Sequence, residues 1–345
     1  MKIGALAIPL LVFCTFCLSA KDDKVPSHFV PMFNGKDLTG WVNVNCAHST
    51  FAARNNEIVT NGRPTGFLRT AKQYENFILE MEWMHVNKKE VGNSGLFVWG
   101  DPLPAVGTGY TRGIEVQILV NYETDWATSH GDLFSIWGAK CKPDRPHPKG
   151  YERCLPSERV CKGGGEWNHY KVVANDGSIK LSVNGKEVSG VSQCNPRKGY
   201  LALESEGAEC HFRNIKIQEL PSTNPKPEEI ANVGDRFISL FDGISMDSWF
   251  TKDNSWTANE ILTCVGDQEL VSRNTWGMGE LIVDYKLPAG TDHVSLTFGE
   301  TVKLEGKPGV WKRYRGMHHP AKSKSITISG AKGLELRNIF IKQSY

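Results

Sequence analysis

The sequence predicts an all-β protein, a sandwich or barrel of antiparallel strands, from two local patterns. Residues 77–83 (FILEMEW) alternate apolar and polar side chains with the period of a half-buried strand. Residues 175–177 (NDG) and 184–185 (NG) each separate two further strand-like segments. Asp-Gly and Asn-Gly pairs supply the positive φ angles that tight hairpins need. Because no long amphipathic helical pattern accompanies these strands, we expect an all-β class.

An internal repeat predicts that the β domain is duplicated. Residues 33–41 (FNGKDLTGW) are echoed by residues 241–249 (FDGISMDSW), and residues 212–217 (FRNIKI) by residues 336–341 (LRNIFI). Since one motif lies near the start of each unit and the other near its end, a duplication explains them better than chance does.

The repeat and a Pro-rich stretch divide the chain. We expect a first β domain over residues 21–220, a linker over residues 221–236, and a shorter copy of the same domain over residues 237–345. The shorter copy lacks the polar-rich middle of the first unit. Any chemistry is therefore expected in the first domain.

Residues 1–20 are typical of a secretion signal. A basic Lys2 precedes a nearly all-apolar run, and small residues end it before the charged residues 21–24. The run is short for a membrane anchor, although lipidation of Cys17 remains an alternative. We therefore expect a periplasmic or secreted protein with no stable membrane span. The formal net charge of +2 gives no field suited to nucleic acid.

Seven cysteines follow the leader, and in an exported protein some of them should pair. Cys154 and Cys161 close a short loop within a Pro-rich segment and form the favoured pair. A zinc site is the rival interpretation, but residues 21–345 contain no Cys-x-x-Cys.

The segment 112–121 (RGIEVQILVN) contains the strongest candidate site. On a strand, Glu115 and Gln117 share one face and lie about 7 Å apart, while the apolar residues between them face the core. His130 has small neighbours and a nearby carboxylate, Asp132, which suits a proton-transfer group. The alternatives are an ordinary solvated strand face and a surface-loop histidine.

Further side chains are candidates for binding a sugar. Trp99 and Trp137 could stack on sugar rings or pack in the core. His147 lies in a stiff Pro-rich loop that could rim a cleft. The remaining polar candidates are Asn93, Arg112 at the start of the candidate strand, Asp132, and Glu206, which shares a strand face with Glu204.

Several motifs in order resemble the 3-keto-disaccharide hydrolase family over about residues 29–220. They are residues 33–41, 92–97 (GNSGLF), 115–118 (EVQI), 165–170 (GEWNHY), 184–186 (NGK) and 212–215. The resemblance implies a concanavalin-A-like lectin/glucanase sandwich, export, and action on glycosides oxidised at carbon 3.

By this resemblance, Glu115, Gln117 and His130 map onto the family's cleft. Many relatives carry His-Gly where this chain has Glu206-Gly207, a departure that bears on the substrate or on the acid–base arrangement.

A 3-keto group acidifies the hydrogen at carbon 2, so a single base could start an elimination. We expect Glu115 or His130 to be the base and the other to be the acid, with Asn93 and Gln117 holding oxygens of the sugar. No cofactor is expected, although Glu115, His130, Asp132 and Glu206 could ligate a divalent metal.

Two other functions fit the same sequence. The first is a noncatalytic, lectin-like module that binds carbohydrate. The second is a conventional two-carboxylate glucanase, which would need Glu204 or Glu206 to face Glu115 at about 5–9.5 Å.

Overall fold

The computed structural model describes residues 28–234 and 236–344, so the leader expected over residues 1–20 lies outside the described residues. Within the described ranges the chain forms β-strands and one 3₁₀ helix, Pro227–Glu229. The all-β class is therefore confirmed. No helix in these ranges has both the length and the apolar character that crossing a bilayer requires.

Sixteen of the described strands form a first sandwich. They are β1 Val30–Pro31, β2 Trp41–Val44, β3 Phe51–Arg54, β4 Glu57–Thr60, β5 Gly66–Thr70, β6 Phe77–His85, β7 Gly92–Gly100, β8 Gly113–Val120, β9 Leu133–Ile136, β10 Lys140–Pro143, β11 Arg153–Cys154, β12 Asn168–Asn175, β13 Ser178–Val183, β14 Lys186–Asn195, β15 Tyr200–Ser205 and β16 Cys210–Glu219.

These strands make two packed antiparallel sheets. The nine-stranded sheet has the order β10-β14-β13-β12-β6-β16-β4-β3, with β1 also paired to β16, and the seven-stranded sheet has the order β11-β9-β8-β7-β15-β5-β2. The two sheets pack face to face as a β-sandwich, the architecture that the sequence predicts. Its core lies between the sheets and includes Ile114, Val116, Ile118 and Val120 of β8. The alternate residues of β8 therefore face away from this core, as the sequence pattern predicts.

Eleven more described strands form a second, smaller sandwich. They are β17 Ile238–Ser239, β18 Trp249–Phe250, β19 Trp256–Asn259, β20 Ile261–Cys264, β21 Leu270–Ser272, β22 Gly279–Lys286, β23 His293–Phe298, β24 Glu300–Glu305, β25 Trp311–His318, β26 Thr327–Ile328 and β27 Glu335–Gln343. Its six-stranded sheet has the order β19-β20-β27-β22-β25, with β17 paired to β27, and its five-stranded sheet the order β18-β21-β26-β23-β24.

The two sandwiches repeat the same local contacts at corresponding positions. The indole Nε1 of Trp41 donates to the carbonyl of Met32 at 2.9 Å, and that of Trp249 donates to the carbonyl of Leu240 at 2.6 Å. The first strand of each unit pairs with its last strand, β1 with β16 and β17 with β27. The second sandwich is a truncated β domain of the same type.

The second sandwich packs across the outer face of the seven-stranded sheet. Phe67 and Phe97 of the first sandwich share an apolar cluster with Ile282 and Phe340 of the six-stranded sheet. The second sandwich therefore covers part of the face on which the acidic residues of β8 and β15 lie.

Asp284 is the polar centre of this interface. Its fully buried carboxylate accepts hydrogen bonds from the backbone N–H of Gly107 at 2.9 Å, from Arg313 Nε at 2.6 Å and from Asn338 Nδ2 at 2.7 Å. Arg313 also donates through Nη2 to the carbonyl of Pro104 at 2.8 Å. The buried, fully hydrogen-bonded carboxylate of Asp284 thus connects the second sandwich to the loop of the first that contains Pro104 and Gly107.

We expect Asp284→Ala to lower the free energy of unfolding by about 3–5 kcal/mol, because it leaves Arg313 and Asn338 without their buried partner. Urea denaturation measures this change. Asp292→Ala, which removes an exposed carboxylate beside β23, should change stability by no more than about 0.5 kcal/mol. Equal effects of the two substitutions would contradict the importance of Asp284.

Candidate active site

Three neighbouring strands of the seven-stranded sheet bring two glutamates together on its outer face. β7 lies between β8 and β15. Glu115 lies opposite Phe97, and Gln117 opposite Gly95. Glu204 is on the other side of β7, where Leu203 pairs with Leu96. Glu115 is 6% exposed and Glu204 is 1% exposed, so both carboxyl groups are largely shielded from water.

Gly95 leaves the space between these carboxyl groups free. A Cβ atom at this position would lie 2.9 Å from Glu204 Oε2 and 3.0 Å from Glu115 Oε1. A side chain on residue 95 would therefore crowd both glutamates and require the ends of their side chains to shift. The two carboxyl groups face each other across the space that a side chain on residue 95 would fill. At this separation the two groups influence each other's protonation.

Burial and mutual repulsion favour the protonated forms of both glutamates. Burial raises the pKa of Glu115 to about 8, and the charge of Glu206 adds to the shift. Burial also raises the pKa of Glu204 well above its usual range, with the charges of Glu115 and Glu206 contributing. Both carboxylate oxygens of Glu204 lack a hydrogen-bond partner. Since two adjacent carboxylates repel each other, ionisation of one keeps the proton on the other.

A chain of polar side chains extends from Glu115 along the sheet face. Gln117 Nε2 lies 3.4 Å from Glu115 Oε1 and donates to Asn93 Oδ1 at 2.9 Å. Asn93 Nδ2 donates to Glu206, whose other carboxylate oxygen accepts from the Tyr110 hydroxyl at 2.6 Å. Asn93, Gln117 and Glu206, all predicted from sequence, thus form one network with Glu115.

A buried ion pair lies on the opposite side of Glu115. Arg153 donates through Nη1 to Asp132 at 2.9 Å, and its guanidinium lies 3.7 Å above the ring of Phe134, the cross-strand neighbour of Glu115. Thr128 also donates to Asp132, at 2.6 Å. Asp132 therefore orients Arg153, whose charge works against the raised pKa of Glu115.

Exposed aromatic side chains lie in two places, one beside Phe134, the cross-strand neighbour of Glu115, and the other beside Tyr110, which contacts Glu206. Trp126 and Tyr151 are exposed and line a cavity of about 470 Å³ with Phe134 and Arg153. Trp137 is 52% exposed, and its ring stacks on that of Tyr110 with centroids 6.0 Å apart. Exposed aromatic faces near paired acids suit a sugar ligand.

The structure does not bring His130 to this pair. Its Nε2 lies 3.7 Å from Glu123, and the residue lines a separate pocket with Tyr122 and Cys161 at the far end of β8. The expected convergence of His130 with Glu115 was therefore wrong. Residue 130 lies in the loop before β9, where closeness in sequence to a carboxylate does not fix the side-chain direction.

Trp99 is a second correction, because it is completely buried in the core and cannot contact a ligand. β7 carries one extra residue against β15 between the pairs Gly100–Tyr200 and Phe97–Ala202. Trp99 itself adopts a φ of 56°. Such a bulge breaks the alternation of faces and turns the indole inward, where Nε1 donates to the Glu75 carbonyl at 2.8 Å.

His147 and Arg112 are held by neighbours within the first sandwich. His147 is buried, with Nε2 3.3 Å from the Trp126 carbonyl and Nδ1 accepting from the backbone N–H of Lys149 at 3.0 Å. This geometry gives His147 a role in holding its loop. Arg112 forms a two-pronged ion pair with Asp101, at 2.9 and 3.1 Å.

The sequence indicates Glu204 only as the second carboxylate of a conventional glucanase, and it does not identify Tyr110 or Arg153. A pattern was available for Glu204, because Leu201 and Leu203 alternate with it along β15 and so place it on the outer face. Tyr110 precedes β8 in a loop and Arg153 lies in a two-residue strand. Neither position shows a periodicity that would identify it.

All seven cysteines of the described residues are free thiols, so the expected Cys154–Cys161 disulfide is absent. Cys154 is fully buried in β11, whereas Cys161 lines the pocket beside His130. Within residues 28–234 and 236–344, no three His, Cys, Asp or Glu side chains converge in a way that could hold a metal ion.

The raised pKa of Glu204 predicts a pH-dependent gain in stability for Glu204→Gln. A carboxyl whose pKa rises on folding favours the folded state while it is protonated, and this contribution is lost as pH rises through the raised value. The neutral amide avoids that loss. We expect the variant to gain about 1 kcal/mol or more at pH 9, roughly 2–4 °C in melting temperature, and little at pH 5.

Scanning calorimetry at the two pH values measures this gain. Glu228→Gln, which replaces an exposed carboxylate, is the matched control and should show no such pH dependence. A gain for Glu204→Gln that is no larger at pH 9 than at pH 5 would contradict the raised pKa.

Comparison with known proteins places these residues in a family. A protein from Parabacteroides distasonis assigned as a glycosyl hydrolase is 22% identical, with 56% of this chain and 94% of that chain covered and a TM-score of 0.43. The carbohydrate-binding module CBM66 from Bacillus subtilis is 13% identical, with 52% and 96% covered and a TM-score of 0.40. The chain has no match among curated protein sequences. The 3-keto-alpha-glucoside-1,2-lyase-like domain matches residues 28–218, and the chain belongs to this family of glycoside-active domains.

Proposed function

We propose that the first sandwich cleaves 3-keto-α-glycosides by proton transfer at the Glu115–Glu204 pair. The observation that carries this proposal is the pair itself, in which two buried carboxyl groups face each other across Gly95 with raised pKa values. Titratable groups held in this way at a shared site are typical of acid–base catalysis. Family membership supports a keto-glycoside as the substrate class.

The chemistry begins with loss of the proton on carbon 2, which the neighbouring 3-keto group acidifies. The electron pair left on carbon 2 forms a double bond to carbon 1 as the bond from carbon 1 to the leaving oxygen breaks. The leaving oxygen takes a proton from the acid. Water then adds across the double bond, with hydroxyl at carbon 1 and hydrogen at carbon 2, so the net reaction is hydrolysis.

The surroundings of the two glutamates assign their roles. Glu115 is the base, because the nearby charge of Arg153 favours its ionised form. Glu204 is the acid, because its carboxyl is the more buried and no hydrogen bond stabilises its charge. Gln117 and Asn93 are positioned to hold a hydroxyl or the keto oxygen of the sugar.

The cavity beside Phe134 is the proposed site of the oxidised sugar. Trp126 and Tyr151 present exposed rings there, and Arg153 supplies N–H donors next to Glu115. Sugar rings have apolar faces and polar edges, so aromatic walls with one cationic donor suit them.

The same pair supports a second candidate, a conventional retaining glycosidase. The nearest oxygens of Glu115 and Glu204 each lie within about 3 Å of one point, the absent Cβ of Gly95. Retaining glycosidases place their two carboxyl groups about 5–5.5 Å apart. The choice of substrate separates the two candidates, because such an enzyme cleaves glycosides that have not been oxidised.

Glu115→Gln and Glu204→Gln should each lower kcat/KM on methyl 3-keto-α-glucoside by about 10²–10⁴-fold, because each removes a proton-transfer group. The rate of methanol release measures the change. Wild-type activity on unoxidised methyl α-glucoside alone would favour the retaining glycosidase. Sugar binding without release of product from either compound would indicate a noncatalytic lectin.

His130→Ala tests the role that the sequence assigned to this histidine. Because His130 lies in another pocket, we expect less than about a tenfold change in kcat/KM on the same substrate. A decrease in kcat/KM as large as that expected for Glu115→Gln would instead indicate that His130 takes part in catalysis.

Glu206→Gln should move the acidic limb of the pH–rate profile to lower pH. The charge of Glu206 contributes to the pKa of about 8 at Glu115, so its removal lowers that pKa and the base ionises earlier. We expect a shift of about half a pH unit or more in kcat/KM. Glu187→Gln, an exposed position on β14, is the control, and an equal shift there would contradict this origin.

We also propose that the protein acts outside the cytoplasm, from the secretion-signal character of residues 1–20. Fractionation of cells that express the chain with and without these residues tests this proposal. Equal retention of both forms in the cytoplasm would contradict it.

A further inference from the structure

We infer that a pocket between the two sandwiches binds the second sugar of the substrate, the one that leaves. This inference deepens the proposed function and rests on it for the identity of the substrate. The pocket has a volume of about 410 Å³, within the range of about 300–1,000 Å³ typical of small-ligand sites. Both sandwiches line it, with Trp137 and Arg112 from the first and Ile282 and Arg315 from the second.

Tyr110 connects this pocket to the glutamate pair. Its hydroxyl donates to Glu206 at 2.6 Å, at the end of the polar chain that starts at Glu115. Its ring stacks on Trp137, the exposed aromatic wall of the pocket, with an interplanar angle of 10°. One side chain therefore contacts both the acidic network and the pocket wall. Phe134 lies in β9 and Trp137 directly follows this strand, so a disaccharide with one ring near Phe134 would have its other ring within reach of Trp137.

The backbone at Trp137 supports a binding role. Trp137 adopts a φ of 50°, a left-handed conformation that bulky residues rarely adopt. This residue follows the end of β9 and is 52% exposed, with its ring stacked on one side against Tyr110. Backbone strain often occurs at ligand-binding positions, and at Trp137 it accompanies an exposed aromatic ring.

The charges of the pocket favour an uncharged polar ligand over an anion. Each of its three arginines is paired with a carboxylate. The pairs are Arg112 with Asp101, Arg313 with Asp284, and Arg315 with Glu280. With these cations neutralised, the pocket has no strong attraction for a phosphate or carboxylate ligand. Ion-paired side chains still offer donors and acceptors to hydroxyl groups, and Leu103 and Phe237 add apolar surface. A sugar ring matches this combination.

The same pocket gives the second sandwich a function. Ile282 and Arg315 lie on strands β22 and β25 of the six-stranded sheet, which the family match at residues 28–218 does not include. The second sandwich therefore completes a subsite that the family domain alone lacks. The leaving group it selects is a sugar large enough to reach both walls.

Two substitutions, one on each wall, test the subsite. Trp137→Ala removes the aromatic surface, and Arg315→Ala removes a well-exposed polar contact from the second sandwich. Phe250→Ala, an exposed aromatic of the second sandwich away from the pocket, is the control, and Trp137→Phe should restore most of the lost function. Melting temperatures show that each variant folds.

The kinetic comparison uses 3-keto-maltose, which has a leaving glucose, and methyl 3-keto-α-glucoside, which has none. We expect Trp137→Ala to lower the ratio of the two kcat/KM values, disaccharide over methyl glycoside, about tenfold, and Arg315→Ala to lower it about threefold or more. Phe250→Ala should leave this ratio within a factor of two. An unchanged ratio in both pocket variants would overturn the inference.

Calorimetric titration with maltose, which is not oxidised, separates the subsite from the proposed chemistry. In one outcome, neither keto-glycoside is cleaved, but maltose binds and Trp137→Ala weakens its binding about tenfold. This result would support the subsite and contradict the proposed reaction. In another outcome, 3-keto-maltose is cleaved and neither pocket variant changes the ratio of the two kcat/KM values. This result would support the reaction and contradict the subsite. If no keto-glycoside is cleaved and maltose does not bind, both the proposed reaction and the subsite are contradicted.

Discussion

The burial of two carboxyl groups side by side is the constraint on which the rest of the site depends. Glu115 and Glu204 lie on either side of Gly95, where β7 separates β8 from β15. In this shielded space each carboxylate loses hydration and repels the other, so the pair retains a proton. The charge of Arg153 favours the ionised form of Glu115, and no hydrogen bond does the same for Glu204.

The second sandwich preserves that constraint by covering the same sheet face. Its apolar contacts, Ile282 and Phe340 against Phe67 and Phe97, lie beside the acids and keep water from part of the face. Its polar contacts centre on Asp284, whose buried charge is fully hydrogen-bonded. The packing of the six-stranded sheet across the seven-stranded sheet therefore both stabilises the interface and keeps the surroundings of the glutamates low in polarity.

Local patterns predicted the site only where the strands are regular. The alternation along β8 correctly gave its core face and the outward direction of Glu115 and Gln117. Trp99, which could stack on a sugar or pack in the core, lies in the core because a bulge in β7 turns its side chain inward. The expected position of His130 beside Glu115 was wrong, because His130 lies in a loop and no strand fixes its direction.

The sequence by itself determined the all-β class, the duplication of the β domain and the core face of the central strand. These features depend on periodicity and on motifs within short stretches of chain, which local patterns record. Only the tertiary structure decided that Glu204 is the partner of Glu115 and that the second sandwich lies across the same sheet face. Such pairings join residues far apart in the chain through the order of strands in a sheet, and no local pattern encodes that order.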